Sequence, residues 1–165
     1  MSHACERGGQ VKICDILQQP LIVPELKSQD KEGVLDEMAT FLSAFVDGET
    51  ARVKDIKAAL MAREQLGSTG VGEGVAIPHA KIAGLGQLVA CFGRSVGGVE
   101  FDAIDYQPVR LIFVLLVPEN SAGAHLKALA RISRLLKSES FRAQLLQLNG
   151  AEAIYRAFLE EDNRP

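Results

Sequence analysis

Residues 111–117, LIFVLLV, form seven consecutive strongly apolar positions. This run constrains the fold more than any other segment. A strand with one wet face alternates apolar and polar side chains, whereas a strand without polar positions must be covered on both faces. The run is far short of the roughly 20 residues that a helix needs to cross a bilayer, so it reads as a buried strand and predicts no membrane insertion. Residues 88–94 share its character, and Val109 extends it at the start. Two buried strands with both faces covered require helices on each side of a sheet. A chain of 165 residues holds one such domain at about 150 residues per domain.

The covering helices are legible from their periodicity. Over residues 30–45, Val34, Met38, Phe41, Leu42 and Phe45 recur at helical spacing. Ser28 or Asp30 is the expected cap and Asp47-Gly48 the expected stop. A second helix over 49–66 turns Val53, Ile56, Leu60 and the Ala58/Ala59 pair inward and stops at Gly67, with Arg63 in its last turn. After Pro118, Asn120 or Ser121 caps a third helix. Leu126, Leu129, Ala130, Ser133 and Leu136 mark its inner face, and Lys127, Arg131 and Arg134 its solvated one. Ser138 or Ser140 starts a short helix over Phe141, Leu145 and Leu146, and residues 151–160 form a last helix packing Ile154 and Phe158. The expectation is an α/β fold: a single domain over 11–160, a mixed β-sheet flanked by helices, with tails at 1–10 and 161–165.

Charge and cysteine content remove several classes of function. Eighteen basic against 21 acidic residues give a net charge of -3, without a dense Lys/Arg block. No electrostatic footprint for nucleic acid exists. Cys5, Cys14 and Cys91 have no paired spacing, which supports neither a disulfide framework nor a zinc knuckle. The N-terminal MSHACERGGQVK lacks the apolar core of a secretory signal, so the expected location is the cytoplasm. There is no GxSxG elbow and no P-loop lysine. His79, His125, Glu73 and Asp102 are the conceivable metal ligands, but no HxH or HExxH pair anchors them. Neither a metal nor a cofactor is expected.

Chemistry is concentrated after residue 66, where GSTGVGEGVAIPHAKIAGLG holds six glycines and a proline. It reads as loop, short strand at 75–77, loop. His79 follows Pro78, whose fixed backbone angle and glycine neighbours suit a segment that presents a side chain. His125 stands near the start of the third helix, where free amides can hold an anion. Arg63 offers a planar, permanently charged fork for a phosphoryl group.

The run from Arg63 to His79, REQLGSTGVGEGVAIPH, resembles the active-site signature of the fructose/mannitol-type enzyme IIA (EIIA type-2) domains of the bacterial phosphotransferase system. FDAIDYQPV at 101–109, the strand that follows, and Ala124-His125-Leu126 resemble the nitrogen-regulatory branch in particular. Three separated motifs in the right order are far more specific than a glycine loop. The resemblance spans about Val11 to Glu160. It implies a mannitol-type enzyme IIA-like fold and a phosphotransferase component that accepts a phosphoryl group from an HPr- or NPr-like carrier. His79 is implied as the acceptor, with His125 and Arg63 as phosphoryl stabilisers. Ser68, Thr69 and Gly70 lie in the matching glycine loop and are candidates for phosphate contact. Glu73 stands where asparagine is frequent in this branch, and Ala80 where glycine is. Such transfer is chiefly positioning and charge stabilisation, and calls for no metal. Two outputs follow. A regulatory protein would bind targets such as transporters or sensor kinases according to its phosphorylation state; a sugar-transport IIA would pass the group to a IIB partner. A chain that ends within a few residues of its domain and has no membrane run favours the first.

Overall fold

The computed structural model describes residues 11–46, 53–121 and 123–164. The tail at 1–10, the Asp47-Gly48 stop and the 49–52 start expected of the second long helix lie outside the described residues.

The apolar run is the centre of the sheet. Strand β6 (Val109–Pro118) pairs antiparallel with β5 (Val89–Val99), and β5 pairs parallel with the short β1 (Ile22–Val23). On its other side β6 pairs in parallel with β3 (Val75–Ala76) and then β4 (His79–Ile82), while β2 (Gly70–Gly72) joins β3 antiparallel at the edge. Every residue from Leu111 to Val117 is buried.

Helices cover both faces, as two-sided burial demands. The main chain enters through α1 (Ile13–Ile16) and a 3-10 turn at Gln19–Leu21. Helices α2 (Lys31–Phe45) and α3 (Val53–Gln65) pack on each other and against β5 and β4 respectively. Of the two expected caps for α2, Asp30 is the one used: its carboxylate accepts from the Gly33 amide at 2.6 Å. Gly93 of β5 lies so close to Leu26 that a Cβ there would fall 2.8 Å from the leucine. The opposite face carries α4 (Ala124–Leu136), α5 (Glu139–Gln147, capped by Ser138) and α6 (Ala151–Asp162). There the Phe158 ring meets Phe92, Phe113 and Phe141 edge-on, with centroids 4.9, 5.7 and 5.3 Å away. Buried Arg94 reaches from β5 to the Leu145 carbonyl at 2.8 Å and to that of Leu148, holding the end of α5 on the sheet.

Four expectations are corrected. The glycine-rich segment forms three short strands, not one. Glu73 and Gly74 both take positive φ, 59° and 75°, which reverses the chain and pairs β2 with β3. Past Pro78 the register on β6 resumes without a shift: Val75 faces Leu111 and His79 faces Leu115, and the Pro78 carbonyl accepts from the Leu115 amide at 2.9 Å. Second, α4 is rotated from its expected face. Ala128, Ile132, Leu135 and Leu136 are buried, and Leu126 is 62% exposed. Arg131, expected in solvent, is drawn onto Asp162, with Nε 2.7 Å from the carboxylate. Third, that contact belongs to a helix α6 that runs past Glu160 to Asp162. The other Asp162 oxygen accepts from the Ile13 amide at 2.7 Å, so the two ends of the domain are tied together. Fourth, the N-cap position of α4 is taken by Gly123, with φ 85°, while Ser121, two residues earlier, still accepts from the first-turn amide of His125.

Candidate functional site

His79 opens β4 and is half-buried. Paired residues in a sheet share a face, so its register with Leu115 sets it on the side where Phe113 meets α6. Its Nδ1 lies 2.9 Å from the Ile77 carbonyl oxygen. A carbonyl only accepts, so Nδ1 carries the proton and donates it. Nε2 is left with a bare lone pair, the form in which a neutral imidazole is a nucleophile.

His125 is the second residue of α4. Ser121 Oγ accepts from its backbone amide at 3.3 Å and lies 3.0 Å from its Nδ1. Ser133 and Leu136, farther along α4, line a cleft of about 470 Å³ with Val75 and Ile77. Helix α4 therefore runs back along β3 and β4. From that cleft, His79 lies about 7 Å along the strand beyond Ile77 and His125 about 12 Å along the helix before Ser133, both toward the same end. The start of α4, which carries His125, thus lies toward the same end of the sheet as the strand that His79 opens.

Arg63 belongs to the opposite layer, in the last turn of α3. Its Nη1 donates to the Gly67 carbonyl at 2.8 Å, closing the turn that leads into the glycine loop. It makes no hydrogen bond to either imidazole, although α3 packs on the strand that His79 opens.

The three loop candidates hold the loop itself. Ser68 Oγ donates to the Phe101 carbonyl at 2.7 Å and accepts from the Gly70 amide at 3.0 Å. Thr69 is buried; its amide donates to Glu64 Oε1 at 3.0 Å and its hydroxyl to the same oxygen. Gly70 offers its carbonyl to the Ile104 amide at 3.1 Å. Glu64, buried at 7% exposure, is the organiser of this loop, and its second oxygen is 3.0 Å from Lys31 Nζ. No local signal marks it, because a helix glutamate is ordinarily solvated and Lys31 comes from another helix. Ser121 was legible only as a helix cap; its reach to a ring nitrogen is a tertiary fact.

The conceivable metal ligands do not converge. Glu73 pairs with Arg142 at 3.4 Å and Asp102 with Lys31 at 3.4 Å. Among the described residues no group of three His, Cys, Asp or Glu is placed to hold a metal. Cys91 is buried, and burial pushes its thiol well above the usual range, which leaves it unreactive. Exposed Leu126 adjoins His125, and Val71, Ile104 and Tyr106 are exposed at the mouth of the glycine loop. Among the described residues no helix is long and apolar enough to cross a membrane.

Residues 15–161 match the family described as phosphoenolpyruvate-dependent sugar phosphotransferase system, EIIA 2. The chain is 41% identical over 143 residues to a nitrogen regulatory protein of Bradyrhizobium diazoefficiens, covering 87% of this chain and 92% of that one. It is 39% identical over 152 residues to the PTS system fructose-specific EIIABC component of Bacillus subtilis, where it covers 92% of this chain but spans only 24% of that longer protein. The crystal structure of nitrogen regulatory protein IIA-Ntr from Neisseria meningitidis matches with a TM-score of 0.81 at 38% identity, over 87% of this chain and 97% of that one.

Proposed function

The chain belongs to the EIIA 2 family of the phosphoenolpyruvate-dependent sugar phosphotransferase system, and from that premise we propose that it is a phosphohistidine carrier that accepts a phosphoryl group on His79 from an HPr- or NPr-like protein and acts as a nitrogen-regulatory IIA. The observation that carries this reading is the Nδ1 contact of His79 with the Ile77 carbonyl. It fixes the ring and leaves the bare Nε2 as the attacking atom. Nε2 attacks phosphorus in line as the P–N bond of the donor breaks, and the electron pair of that bond returns to the donor's imidazole. The positive charge that develops on the His79 ring is met by the carbonyl already bonded to Nδ1–H. No proton has to move, and the bond broken resembles the bond made, so transfer is close to balanced and reversible. His125 and Arg63 supply donors to the phosphoryl oxygens. Ser68, Thr69 and Gly70 contribute by holding the loop that Arg63 closes.

The regulatory output rests on charge. A phosphoryl group adds about -1.5 to -2 at neutral pH, and the exposed side chain of Leu126 follows His125 in the chain. A cytoplasmic target that buries this apolar rim, such as the soluble part of a transporter or a sensor kinase, must then desolvate an anion. Similarity to a fructose EIIABC component supports a second reading, in which the group passes to a IIB partner. Titrating candidate targets and IIB domains with wild type, His79→Ala and His79→Asp separates the two. The regulatory reading expects targets to prefer the unphosphorylated wild type and His79→Ala, with the carrier competing. Equal binding of all three forms together with rapid phosphoryl loss to a IIB domain would establish the transport reading instead.

A further inference from the structure

Two ring nitrogens at the site have short hydrogen-bonded contacts, and the partners differ in kind. His79 Nδ1 faces a carbonyl, which can only accept; His125 Nδ1 faces the Ser121 hydroxyl, which can also donate. We propose that Ser121 is a positioning residue that fixes His125 in the tautomer with its proton on Nε2, the reverse of His79.

The hydroxyl has one proton and two lone pairs. One lone pair takes the His125 amide, at 3.3 Å. Among the described residues Ser121 Oγ has no hydrogen bond other than those to His125. Its proton therefore goes to the acceptor 3.0 Å away, Nδ1. The opposite tautomer would aim two N–H donors at one oxygen and leave the hydroxyl proton unused. Backbone geometry holds Oγ in place. The Ser121 amide donates to the Pro118 carbonyl at 3.2 Å, and its own carbonyl accepts from Gly123 at 2.7 Å. The positive φ of Gly123 then turns the chain into α4, which sets Ser121 beneath the first helical turn.

The two rings are thereby matched. His79 presents a bare Nε2 that can attack, and His125 presents an Nε2–H that can donate to a phosphoryl oxygen while the ring is neutral. Ser121 touches neither phosphorus nor its oxygens; it acts through His125. The catalytic consequence rests on the carrier reading above, whereas the tautomer does not.

The test uses the full chain labelled with ¹⁵N on histidine. Long-range ¹H–¹⁵N spectra of the neutral rings should show His125 protonated on Nε2 and His79 on Nδ1. Ser121→Ala should shift the His125 signals toward a tautomer mixture and leave those of His79 in place, which also reports an intact fold. Phosphoryl transfer from an HPr-like carrier should slow about fivefold, the worth of one ordinary hydrogen bond. Ser121→Thr should restore both. A wild-type His125 protonated on Nδ1 overturns the proposal, as does a Ser121→Ala protein with unchanged His125 signals. Absence of carrier-dependent labelling in wild type would instead sink the carrier reading, and the spectra would still decide the tautomer.

Discussion

His79 Nδ1 lies 2.9 Å from the carbonyl oxygen of Ile77, two residues back across Pro78. With Nδ1 committed as a donor, Nε2 is the nitrogen that can form a P–N bond. Incubation with enzyme I, an HPr-like carrier and phosphoenolpyruvate should give an acid-labile label on His79 at Nε2. ³¹P–¹⁵N correlation in the labelled protein reads the position directly. A phosphoryl group on Nδ1, or undiminished labelling of His79→Ala, would show the assignment to be wrong.

Arg63 closes its own helix end on Gly67, so its removal has a structural and a chemical consequence that differ in size. One exposed side chain to backbone bond contributes about 1 kcal/mol to stability. Loss of a phosphoryl-oxygen donor should slow transfer by at least about tenfold. Arg63→Ala should therefore melt only slightly earlier yet transfer much more slowly, with His79 still the labelled residue. Arg63→Lys should recover part of the rate, since an ammonium replaces a planar fork by a point charge. Single-turnover labelling beside a thermal melt compares the two; equal rates in all three proteins would mean that Arg63 serves the loop alone.

What could be read from the chain depended on whether the deciding contact was local. The run at 111–117 announced a strand covered on both faces, and each of its residues in β6 is buried. Asp30 announced a cap, and it binds the Gly33 amide. Both signals are carried by neighbouring residues. Arg131 looked solvated because it shares a polar face with Lys127 and Arg134, and only the end of α6, thirty-one residues away, shows what it binds. The same applies to Glu64: its partner Thr69 is near in sequence, but its countercharge Lys31 arrives from another helix. The strands at 70–72 and 79–82 escaped because each is short and glycine- or proline-flanked. They exist because partners distant or reversed in the chain pair with them: β6 takes 79–82, and β3 takes 70–72 across the hairpin. At the site, the motifs single out His79 and His125 as candidates. The hydrogen bonds that distinguish the two rings were not legible there.

Glu73 occupies the tip of the β2–β3 hairpin with φ 59°, followed by Gly74 with φ 75°. Turns with both central residues at positive φ favour Asn-Gly, because a longer side chain is strained in the left-handed region. The compensating contact, Arg142 at 3.4 Å, involves a carboxylate that is 76% exposed and adds little in water. Glu73→Asn should thus be neutral to stabilising, by up to about 1 kcal/mol, with the labelling rate of His79 unchanged. Urea unfolding measures the first and carrier-dependent labelling the second. A marked drop in stability would mean that the Arg142 pair outweighs the backbone strain.

Asp162 joins three parts of the chain. One carboxylate oxygen takes the Arg131 guanidinium from α4 and the other takes the Ile13 amide from α1, while the Asp162 side chain is only 2% exposed. Removing one partner of such a pair leaves the other group buried without compensation, at a cost of about 3 kcal/mol or more. Asp162→Ala should lower the urea midpoint accordingly, and Asp162→Asn should fall between, because an amide oxygen can serve one donor but its NH₂ opposes the other. Ending the chain after Glu160 should destabilise at least as much as Asp162→Ala, although the periodic pattern of the sequence treats those last residues as a tail. Carrier-dependent labelling of His79 should survive in each variant wherever it remains folded, because Asp162 makes no contact with either site imidazole. A truncated chain as stable as wild type would show that the Arg131 pair contributes nothing net to the fold.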